Sequence, residues 1–377
     1  MKKLRWLGAG GAAGLALALA LVGSATAGPA IASYQSAKLD VSGPTKLGAR
    51  GTTTIHVAIA STDDPTARAT IYAPKGYSAA LSTPSGTQVG TVDAKVVAAD
   101  LAGATLPVTG TIVVSDASAV LTVSGAQVPI TTLATQCTAT PAHAAYLLLN
   151  LSAGGQSIQV PIFVDAAVGG ETAFASYKLQ LCLGPPDVPA GTPGRAGFGI
   201  KLFDATLNLT NVFTNPSAAG PYLWSALLTP FTPATGTANA AATIEIRSAV
   251  LLPVKLTLKG RYDKKKKKAV LNGTLTIGGL ADISGIAPFL FSGPKPSKLK
   301  NAGRAGKTTK SGAFTSTKRI TKTTYFAVAL GINATEDTAE VCQGSSLAPA
   351  GCVSGTIGSF SVASAVVKVT LPPKKKK

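Results

Sequence analysis

Residues 254–277 read VKLTLKGRYDKKKKKAVLNGTLTI, and this stretch decides the fold of the chain. Val254, Leu256 and Leu258 alternate with polar residues, and the apolar pattern returns between Val270 and Ile277. An alternation of period two is typical of a strand with one face in a core and one face in water. The sequence therefore predicts an antiparallel hairpin whose tip, at Tyr262-Asp263, is followed by five consecutive lysines.

Similar alternation recurs along the chain, and it predicts an all-β fold. One such run is Thr54 to Ile59, and others contain the apolar series Phe326, Val328, Leu330 and the series Val367, Val369, Leu371. Turn-forming triplets separate the runs, for example Ser42-Gly43-Pro44 and Lys310-Ser311-Gly312, and the pair Asn272-Gly273 is interpreted in the same way. Many short strands at this spacing indicate two or three antiparallel β-sandwich domains with immunoglobulin-like architecture.

The first residues have the features of an export signal. Lys2, Lys3 and Arg5 precede an apolar run from Leu15 to Val22, and the small residues Ala25-Thr26-Ala27 follow it. This order predicts a signal peptide of residues 1–27 that is cleaved after Ala27, and hence a secreted or cell-envelope protein. The alternative is an uncleaved membrane anchor, although the run is shorter than the ~20 residues that span a bilayer. No transmembrane segment is predicted in the mature chain.

The remaining length and composition predict more than one hydrophobic core. About 350 mature residues exceed the size at which single cores stop growing. The segments expected to form sandwich domains are 34–135 and 137–248, which together can also form one larger unit, followed by a basic domain at 251–371 and a Lys-rich tail at 372–377. The Pro/Gly-rich run 184–199 is interpreted as a surface loop. The sequence sets no oligomeric state.

Four cysteines form an even set in the exported part, namely Cys137, Cys182, Cys342 and Cys352. An even number of cysteines in an exported chain predicts disulfide bonds. Three pairings are possible, and proximity in sequence favours Cys137 with Cys182 and Cys342 with Cys352. The spacings do not match a zinc site, so no metal is predicted.

Positive charge is concentrated in the last third of the chain. Residues 28–250 hold 10 Lys/Arg and 11 Asp/Glu, a net charge of −1, whereas residues 251–377 hold 22 Lys/Arg and 5 Asp/Glu, a net charge of +17. Such a field attracts polyanions over about one Debye length, ~8–10 Å in ordinary salt. The residues predicted to bind an anionic envelope polymer or surface glycan are Lys264, Lys265, Lys266, Lys267 and Lys268, and Lys374, Lys375, Lys376 and Lys377. The alternative for the hairpin lysines is a solubilising turn that protects an edge strand.

Short motifs in the same third resemble the immunoglobulin-like or transthyretin-like repeats of exported bacterial surface proteins. The resemblance is carried by Thr308 to Phe314, Thr321 to Phe326, Gly273 to Thr276 and Ile286 to Gly293, and it covers about residues 251–331. It implies that Ser311 to Phe314 turn into a strand and that Tyr325 and Phe326 lie on a closing strand. It implies a sandwich fold and transfers no functional residue, since such sandwiches host many functions.

No motif predicts a reaction, a cofactor or a nucleotide site. His56 falls on the polar face of a strand and His143 follows a Thr-Pro turn, and neither has the sequence context of a hydrolase nucleophile. The pairs Asp63-Asp64 and Glu336-Asp337 are interpreted as solvated turn acids rather than glycosidase carboxylates. Trp224 is predicted to lie in a core. We therefore expect a non-enzymatic protein, with two alternatives: an exported hydrolase with an unrecognised site, and a nucleic-acid-binding protein.

Overall fold

The computed structural model describes residues 34–373 with the exception of 35, 124, 154, 334–336, 343 and 349–350. The predicted signal peptide and Lys374 to Lys377 lie outside the described residues. The fold is all-β, as the alternating pattern predicts, and its described strand pairs are antiparallel except for one parallel pair in the largest sheet, Ser248–Ala249 with Thr356–Ile357. Within the described residues there is one α-helix, α1 (Ile130–Thr138), and four short 3-10 turns, Ala99–Leu101, Gly169–Ala173, Gly197–Gly199 and Ala240–Ala242.

Strands are numbered in chain order. The first twelve are β1 (Lys38–Ser42), β2 (Arg50–Ala58), β3 (Thr66–Pro74), β4 (Ser78–Ala79), β5 (Gln88–Ala98), β6 (Ala104–Ser115), β7 (Val120–Val123), β8 (Ala126–Pro129), β9 (Ala145–Ala153), β10 (Gln156–Ala166), β11 (Ala175–Cys182) and β12 (Ile200–Thr214). The remaining twelve are β13 (Gly220–Pro230), β14 (Ile244–Leu252), β15 (Val254–Asp263), β16 (Lys268–Ile277), β17 (Phe289–Gly293), β18 (Lys300–Arg304), β19 (Ala313–Arg319), β20 (Thr324–Ile332), β21 (Thr338–Val341), β22 (Val353–Ile357), β23 (Phe360–Ala363) and β24 (Val367–Val369).

The strands between residues 38 and 252, except the separate β7-β8 hairpin, form one large sheet, which β21 and β22 join from the last third of the chain. Its strand order is β1-β2-β12-β5-β6-β9-β10-β11-β3-β13-β14-β22-β21, with β4 paired to β12. The segments 34–135 and 137–248 therefore interleave, because β12 lies between β2 and β5, and β3 lies between β11 and β13. The seam expected near residue 136 falls within α1.

The large sheet coils until its first strand returns to β14. The backbone N–H of Val41 on β1 donates to Ser248 Oγ on β14 at 3.0 Å, and Ser359, which follows β22, donates its N–H to Asp40 Oδ1 at 2.8 Å. The inner face encloses one core, and its aromatic part contains Trp224, which is 0% exposed, beside Tyr77 and Phe213. The prediction of a core tryptophan is confirmed.

A second core lies between two smaller sheets formed mainly by residues 254–369. One sheet has the order β15-β16-β19, and the other has the order β18-β17-β20-β23 with β24 also paired to β20. Leu256, Leu271 and Phe326 are among the buried residues between the two sheets. Leu223 and Leu251, on the outer face of the large sheet, belong to the same core. The two-layer arrangement agrees with the predicted sandwich.

One predicted turn is wrong. Asn272-Gly273 does not reverse the chain but lies in the middle of β16, where Gly273 is paired with Phe314 of β19. A Cβ at residue 273 would lie 2.1 Å from the Phe314 ring, so the missing side chain makes room for that ring. The glycine serves close packing between strands rather than a turn.

Candidate polyanion-binding face

The β15-β16-β19 sheet separates apolar and basic side chains onto opposite faces. Val254, Leu256 and Leu258 of β15 point into the second core and are at most 8% exposed. The residues between them point into solvent, because successive strand side chains alternate between faces. Together with residues of β16 and β19, they form what we call the cationic face, defined by the exposed residues Lys255, Lys259, Arg261, Lys268 and Arg319.

The register of the sheet places like charges next to one another on the cationic face. Lys268 of β16 lies directly opposite Arg319 of β19. Like charges opposite each other destabilise a strand pair. An anion held between the two side chains would relieve that repulsion.

Uncharged hydrogen-bonding groups fill the space between these cations. Lys259 lies opposite Asn272, which lies opposite Thr315 on the next strand. The Thr315 hydroxyl donates to Asn272 Oδ1 at 3.0 Å. Thr257 and Thr274 form an equivalent pair further along the sheet. The face therefore carries hydroxyl and amide groups beside its charges, and Val270, opposite Arg261, is an apolar residue among them.

Among the described residues, no cation of the face forms a close ion pair with a carboxylate, although Asp263 lies opposite Lys268 and close enough to Arg261 for their charges to interact. The six ion pairs observed in that part of the chain all lie between residues 56 and 247. One of these six pairs joins Arg195 to Asp100 at 2.7 Å. The positive charge of the cationic face remains available to an external anion.

One carboxylate, Asp263, lies at the end of the face, where β15 enters the hairpin loop. Its Oδ1 accepts hydrogen bonds from the backbone N–H groups of Lys265 at 2.9 Å and Lys266 at 3.1 Å. The hydrogen bond from Lys266 is the largest cause that lowers the pKa of Asp263, and the bond from Lys265 and the charges of Lys266 and Arg261 add to it. The carboxylate therefore stays ionised and is directed into the loop.

The predicted lysines occupy two structural positions. Lys264, Lys265, Lys266 and Lys267 form the exposed hairpin loop between β15 and β16, and Lys268 is the first residue of β16. Lys267 has a φ of 51°, in the left-handed region. The tail lysines Lys374 to Lys377 lie outside the described residues. The structure brings the loop next to the cationic face at the Asp263↔Lys268 pair.

Four cations of the face, Lys255, Lys259, Arg261 and Arg319, were not singled out by the sequence interpretation. The signal for Lys255, Lys259 and Arg261 was present in the polar positions of the alternating run that begins at Val254, whereas Arg319 joins the face only through the pairing of β19 with β16. Other basic residues of the same third have structural contacts instead. The Arg304 guanidinium lies 4.1 Å from the centre of the Phe289 ring, and Lys318 Nζ donates to the carbonyl of Ala302 at 2.8 Å.

The two histidines occupy different environments. His56 is partly exposed, and its Nε2 lies 3.5 Å from Asp204 Oδ2, as expected for a pairing imidazole on a polar strand face. The His143 side chain is fully buried. Its Nδ1 lies 2.7 Å from Asp165 Oδ2 and its Nε2 lies 3.1 Å from Thr138 Oγ1, while its ring stacks on Phe163. Sequence reasoning missed this cluster because Asp165 lies 22 residues away.

The chain of contacts from Thr138 through His143 to Asp165 has the connectivity of a hydrolase triad, but its hydroxyl is already engaged. Thr138 Oγ1 lies 2.9 Å from the carbonyl oxygen of Ala134 and 3.1 Å from that of Thr140. These oxygens accept the single hydroxyl hydrogen in competition with the imidazole. The cluster thereby ties the end of α1 to β10.

Other acidic candidates are turn residues. Asp63 Oδ2 accepts a hydrogen bond from the backbone N–H of Ala60 at 2.9 Å. Glu336 lies outside the described residues. Across the described part of the chain, no three His, Cys, Asp or Glu side chains are grouped closely enough to hold a metal ion. No helix among the described residues has both the length and the apolar character needed to cross a membrane.

The two disulfides have the pairing favoured by sequence proximity. Cys137 at the end of α1 is bonded to Cys182 of β11, and Cys342 is bonded to Cys352. Two disulfides indicate folding in an oxidising compartment.

The second disulfide closes a loop that is held on β14 by Glu245, whose side chain is 1% exposed. Glu245 accepts hydrogen bonds from the hydroxyls of Ser345 and Ser346 at 2.9 and 2.8 Å, and it pairs with Arg247. The loop is thereby fixed to the large sheet.

Comparison with known proteins identifies no relative. No protein-family model matches the chain, and neither a curated protein nor a solved structure matches it. The fold and the cationic face are therefore the basis for a functional assignment.

Proposed function

We propose that this chain is a secreted or cell-envelope-associated, non-enzymatic β-sandwich protein whose cationic face binds anionic envelope polymers or surface glycans. The observation that carries the proposal is the face itself: five exposed cations on one three-stranded sheet, none of them in a close ion pair among the described residues, with Asp263 as the one carboxylate beside them. The lysines of the hairpin loop extend the same positive surface. Export through the predicted signal peptide and the oxidising environment indicated by the disulfides support the location.

The shape of the face favours a polymer over a small anion. Lys255 and Arg261 are six residues apart on one strand, a separation of about 20 Å at ~3.3 Å per residue. Their outward side chains lie along a sheet surface rather than converging on one point. An extended polymer with repeated negative charges can contact several of them at once. Most of the cations are lysines, which act as mobile point charges and suit loose electrostatic attachment.

The aromatic residues of this region favour an anionic envelope polymer over single-stranded nucleic acid. Binding of single strands uses exposed aromatic rings on which bases stack. Phe314 and Phe326 are buried in the second core, and Tyr262 packs against that core. The cationic face thus combines charge with Thr and Asn groups but lacks a stacking platform among the described residues.

The proposal is tested by retention of the purified mature protein on isolated cell envelope at low and high salt. We expect retention at low salt and release at high salt, because counterions screen the attraction. Retention that is insensitive to salt, or no retention, would contradict the proposal. A parallel measurement with duplex DNA tests the nucleic-acid alternative, which predicts firm, salt-sensitive binding to DNA and none to the envelope.

A second candidate function, an exported hydrolase, is favoured by one observation, the contact chain of Thr138, His143 and Asp165. The test is hydrolysis of p-nitrophenyl acetate by the wild type and by Thr138→Val. A catalytic role predicts loss of hydrolysis in T138V with an unchanged fold. The structural role that we favour, because the hydroxyl is engaged by two carbonyl oxygens, predicts no hydrolysis above background in either protein and a lower melting temperature for T138V.

A further inference from the structure

An apolar cavity of about 70 Å³ lies inside the coiled large sheet. It is at the end of the sheet where β2, β11 and β13 finish and β3 and β12 begin. The lining residues are Ile55, Val57, Ile59, Thr66, Ala69, Ile71, Leu181, Leu183, Leu202, Phe203, Asp204, Ala205, Leu207 and Leu228. The cavity is separate from the cationic face, which is the outer side of the β15-β16-β19 sheet that covers the second core.

The two ends of the coiled sheet are packed differently. Trp224, Phe213 and Tyr77 form part of the inner core, with ring centres 5.2 Å apart in each contact with Trp224. The cavity instead is lined mainly by aliphatic side chains, two of which, Ala69 and Ala205, are too short to fill the space. The void exceeds the ~10–15 Å³ that one water molecule requires.

Water is a poor occupant of this cavity. A buried water molecule needs two to four polar partners, and the described lining includes only two polar residues, Thr66 and Asp204, of which Asp204 is directed to His56 and Lys95. The Thr66 hydroxyl is hydrogen-bonded to the hydroxyl of Tyr34 at 3.1 Å, so Thr66 already has a partner. Apolar cavities of this kind stay dry and accept apolar molecules.

The cavity communicates with solvent. Val57, Leu181 and Leu202 pack against the inner core, yet each remains only partly buried. Ala205 and Phe203 on β12 are likewise partly buried. Apolar side chains that line the inside of a sheet and still contact water mark an opening that an apolar ligand would cover.

The lack of an inward-facing charged side chain among the described lining residues restricts the head group of such a ligand. Asp204 is the one charged residue among the lining residues that the structure describes, and it lies 3.5 Å from His56 Nε2 and 3.7 Å from Lys95 Nζ. No lysine or arginine is among the described residues that line the cavity. The nearby Lys201 donates to the carbonyl of Asp63. His56 lies on the opposite face of β2 from the lining residues Ile55 and Val57, so the Asp204 carboxylate is directed away from the cavity. A ligand carboxylate would lose its hydration in the cavity without a cation in the described lining to bind it.

We propose that this cavity binds the end of an n-alkyl chain that carries an uncharged head group. Burial of each methylene contributes about 0.8 kcal/mol, so binding strength rises with the length of chain that enters. The aliphatic lining conforms to a flexible chain, and Ala205 lies where the chain would pass. The proposal is independent of the cationic face, since the two sites use different sheets.

The test is isothermal titration of the purified mature protein with 1-octanol and, separately, with octanoate. We expect saturable binding of 1-octanol, a higher melting temperature in its presence, and at least tenfold weaker binding of octanoate. Absence of saturable 1-octanol binding would overturn the proposal. Tighter binding of octanoate than of 1-octanol would overturn the assignment of an uncharged head group.

Location is tested with a variant that fills the cavity. Ala205→Leu is expected to weaken 1-octanol binding at least tenfold while keeping the circular dichroism spectrum of the wild type. If that variant does not fold, Ala69→Val, which adds less volume to the same lining, takes its place. The control is Val168→Ser, which removes an apolar side chain that is 63% exposed elsewhere. Unchanged affinity in the filled variant, or loss of affinity in V168S, would contradict binding in the cavity.

Discussion

Asp263 accepts a hydrogen bond from the backbone N–H of Lys265, with 2.9 Å between Oδ1 and the nitrogen. This contact directs the carboxylate at the end of the cationic face into the hairpin loop. Asp263 therefore keeps a negative charge beside Arg261 and Lys268 of the face, and the loop has a defined shape. Both properties can be tested by substitution.

Asp263→Asn is expected to strengthen binding of long-chain inorganic polyphosphate by about two- to threefold, because it removes a negative charge next to the face while an amide oxygen can still accept the loop hydrogen bonds. The control is Asp282→Asn, the same charge change outside the face. Affinity is measured by titration in low salt. An equal gain in both variants would show that total charge, rather than the face, determines the affinity.

Asp263 also predicts a dependence of stability on pH. Its pKa is lowered in the folded protein, chiefly by the hydrogen bond from Lys266. A lowered pKa stabilises the fold above the unfolded-state value of about 3.9, and that contribution is lost as pH falls through the folded-state pKa. Melting curves of the wild type and Asp263→Asn should therefore converge below about pH 4. Curves that stay parallel would contradict the linkage.

Lys267→Gly is expected to stabilise the protein by about 0.5–1 kcal/mol. Lys267 adopts a φ of 51°, which costs an L-residue about 1 kcal/mol or more, and glycine adopts it freely. The matched control is Lys266→Gly, which removes the same charge from a loop position without a positive φ and should not stabilise the protein. Urea unfolding measures both. A gain of equal size in the two variants would mean that relief of charge repulsion, and not backbone strain, is responsible.

Gly273→Ala is expected to destabilise the protein by about 1–3 kcal/mol, as overpacking does in a filled core. The new Cβ would lie 2.1 Å from the Phe314 ring and 2.6 Å from the carbonyl oxygen of Thr257. The control is Gly331→Ala on β20, where a Cβ meets no atom within 4 Å. Thermal unfolding should show a lower melting temperature for G273A and a nearly unchanged one for G331A. An unchanged melting temperature in G273A would refute the packing of Phe314 over the glycine.

Glu245→Gln is expected to destabilise the protein by about 2 kcal/mol and to expose the loop between Cys342 and Cys352 to protease. Burial raises the pKa of Glu245, but hydrogen bonds from Ser346, Arg247 and Ser345 outweigh it, so the folded-state pKa is lowered. This stabilisation should be present above about pH 4.5 and be lost as pH falls through the folded-state pKa. The exposed Glu340→Gln serves as the control, and equal protease sensitivity would argue against anchoring by Glu245.

Features that depend on local alternation were predictable from sequence. The strand predicted from Thr54 forms within β2 and ends at Ala58, since side-chain periodicity reports which face is buried. The hairpin from Val254 to Ile277 also forms, but its loop is at 264–267 because the predicted tip residues Tyr262 and Asp263 pair with Ala269 and Lys268. The disulfide pairing was predictable for a similar reason, because cysteines near in sequence meet readily. The outward positions of the same hairpin already indicated Lys255, Lys259 and Arg261 of the cationic face. Arg319 joins the face only through the pairing of β19 with β16.

Features that depend on distant pairing were not predictable. Asp40 and Ser359, which help to close the large sheet, are separated by 319 residues, and no local pattern connects them. The pair Asn272-Gly273 has the composition of a turn, and only the Phe314 ring on another strand explains why it stays extended. Likewise, the burial of His143 beside Asp165 follows from the packing of α1 against β10.

The most direct test of the central claim is the salt dependence of polyphosphate binding for two charge-matched triple variants. Lys255→Gln/Lys259→Gln/Arg261→Gln removes three cations from the face, and Lys295→Gln/Lys298→Gln/Lys300→Gln removes three exposed cations from the β17–β18 hairpin. We predict that the first variant loses at least tenfold in affinity and about 2 in the slope of log K against log salt, whereas the second stays near the wild type. Equal losses in both variants, or a wild-type affinity that does not change with salt, would contradict the claim that this face binds anionic polymers.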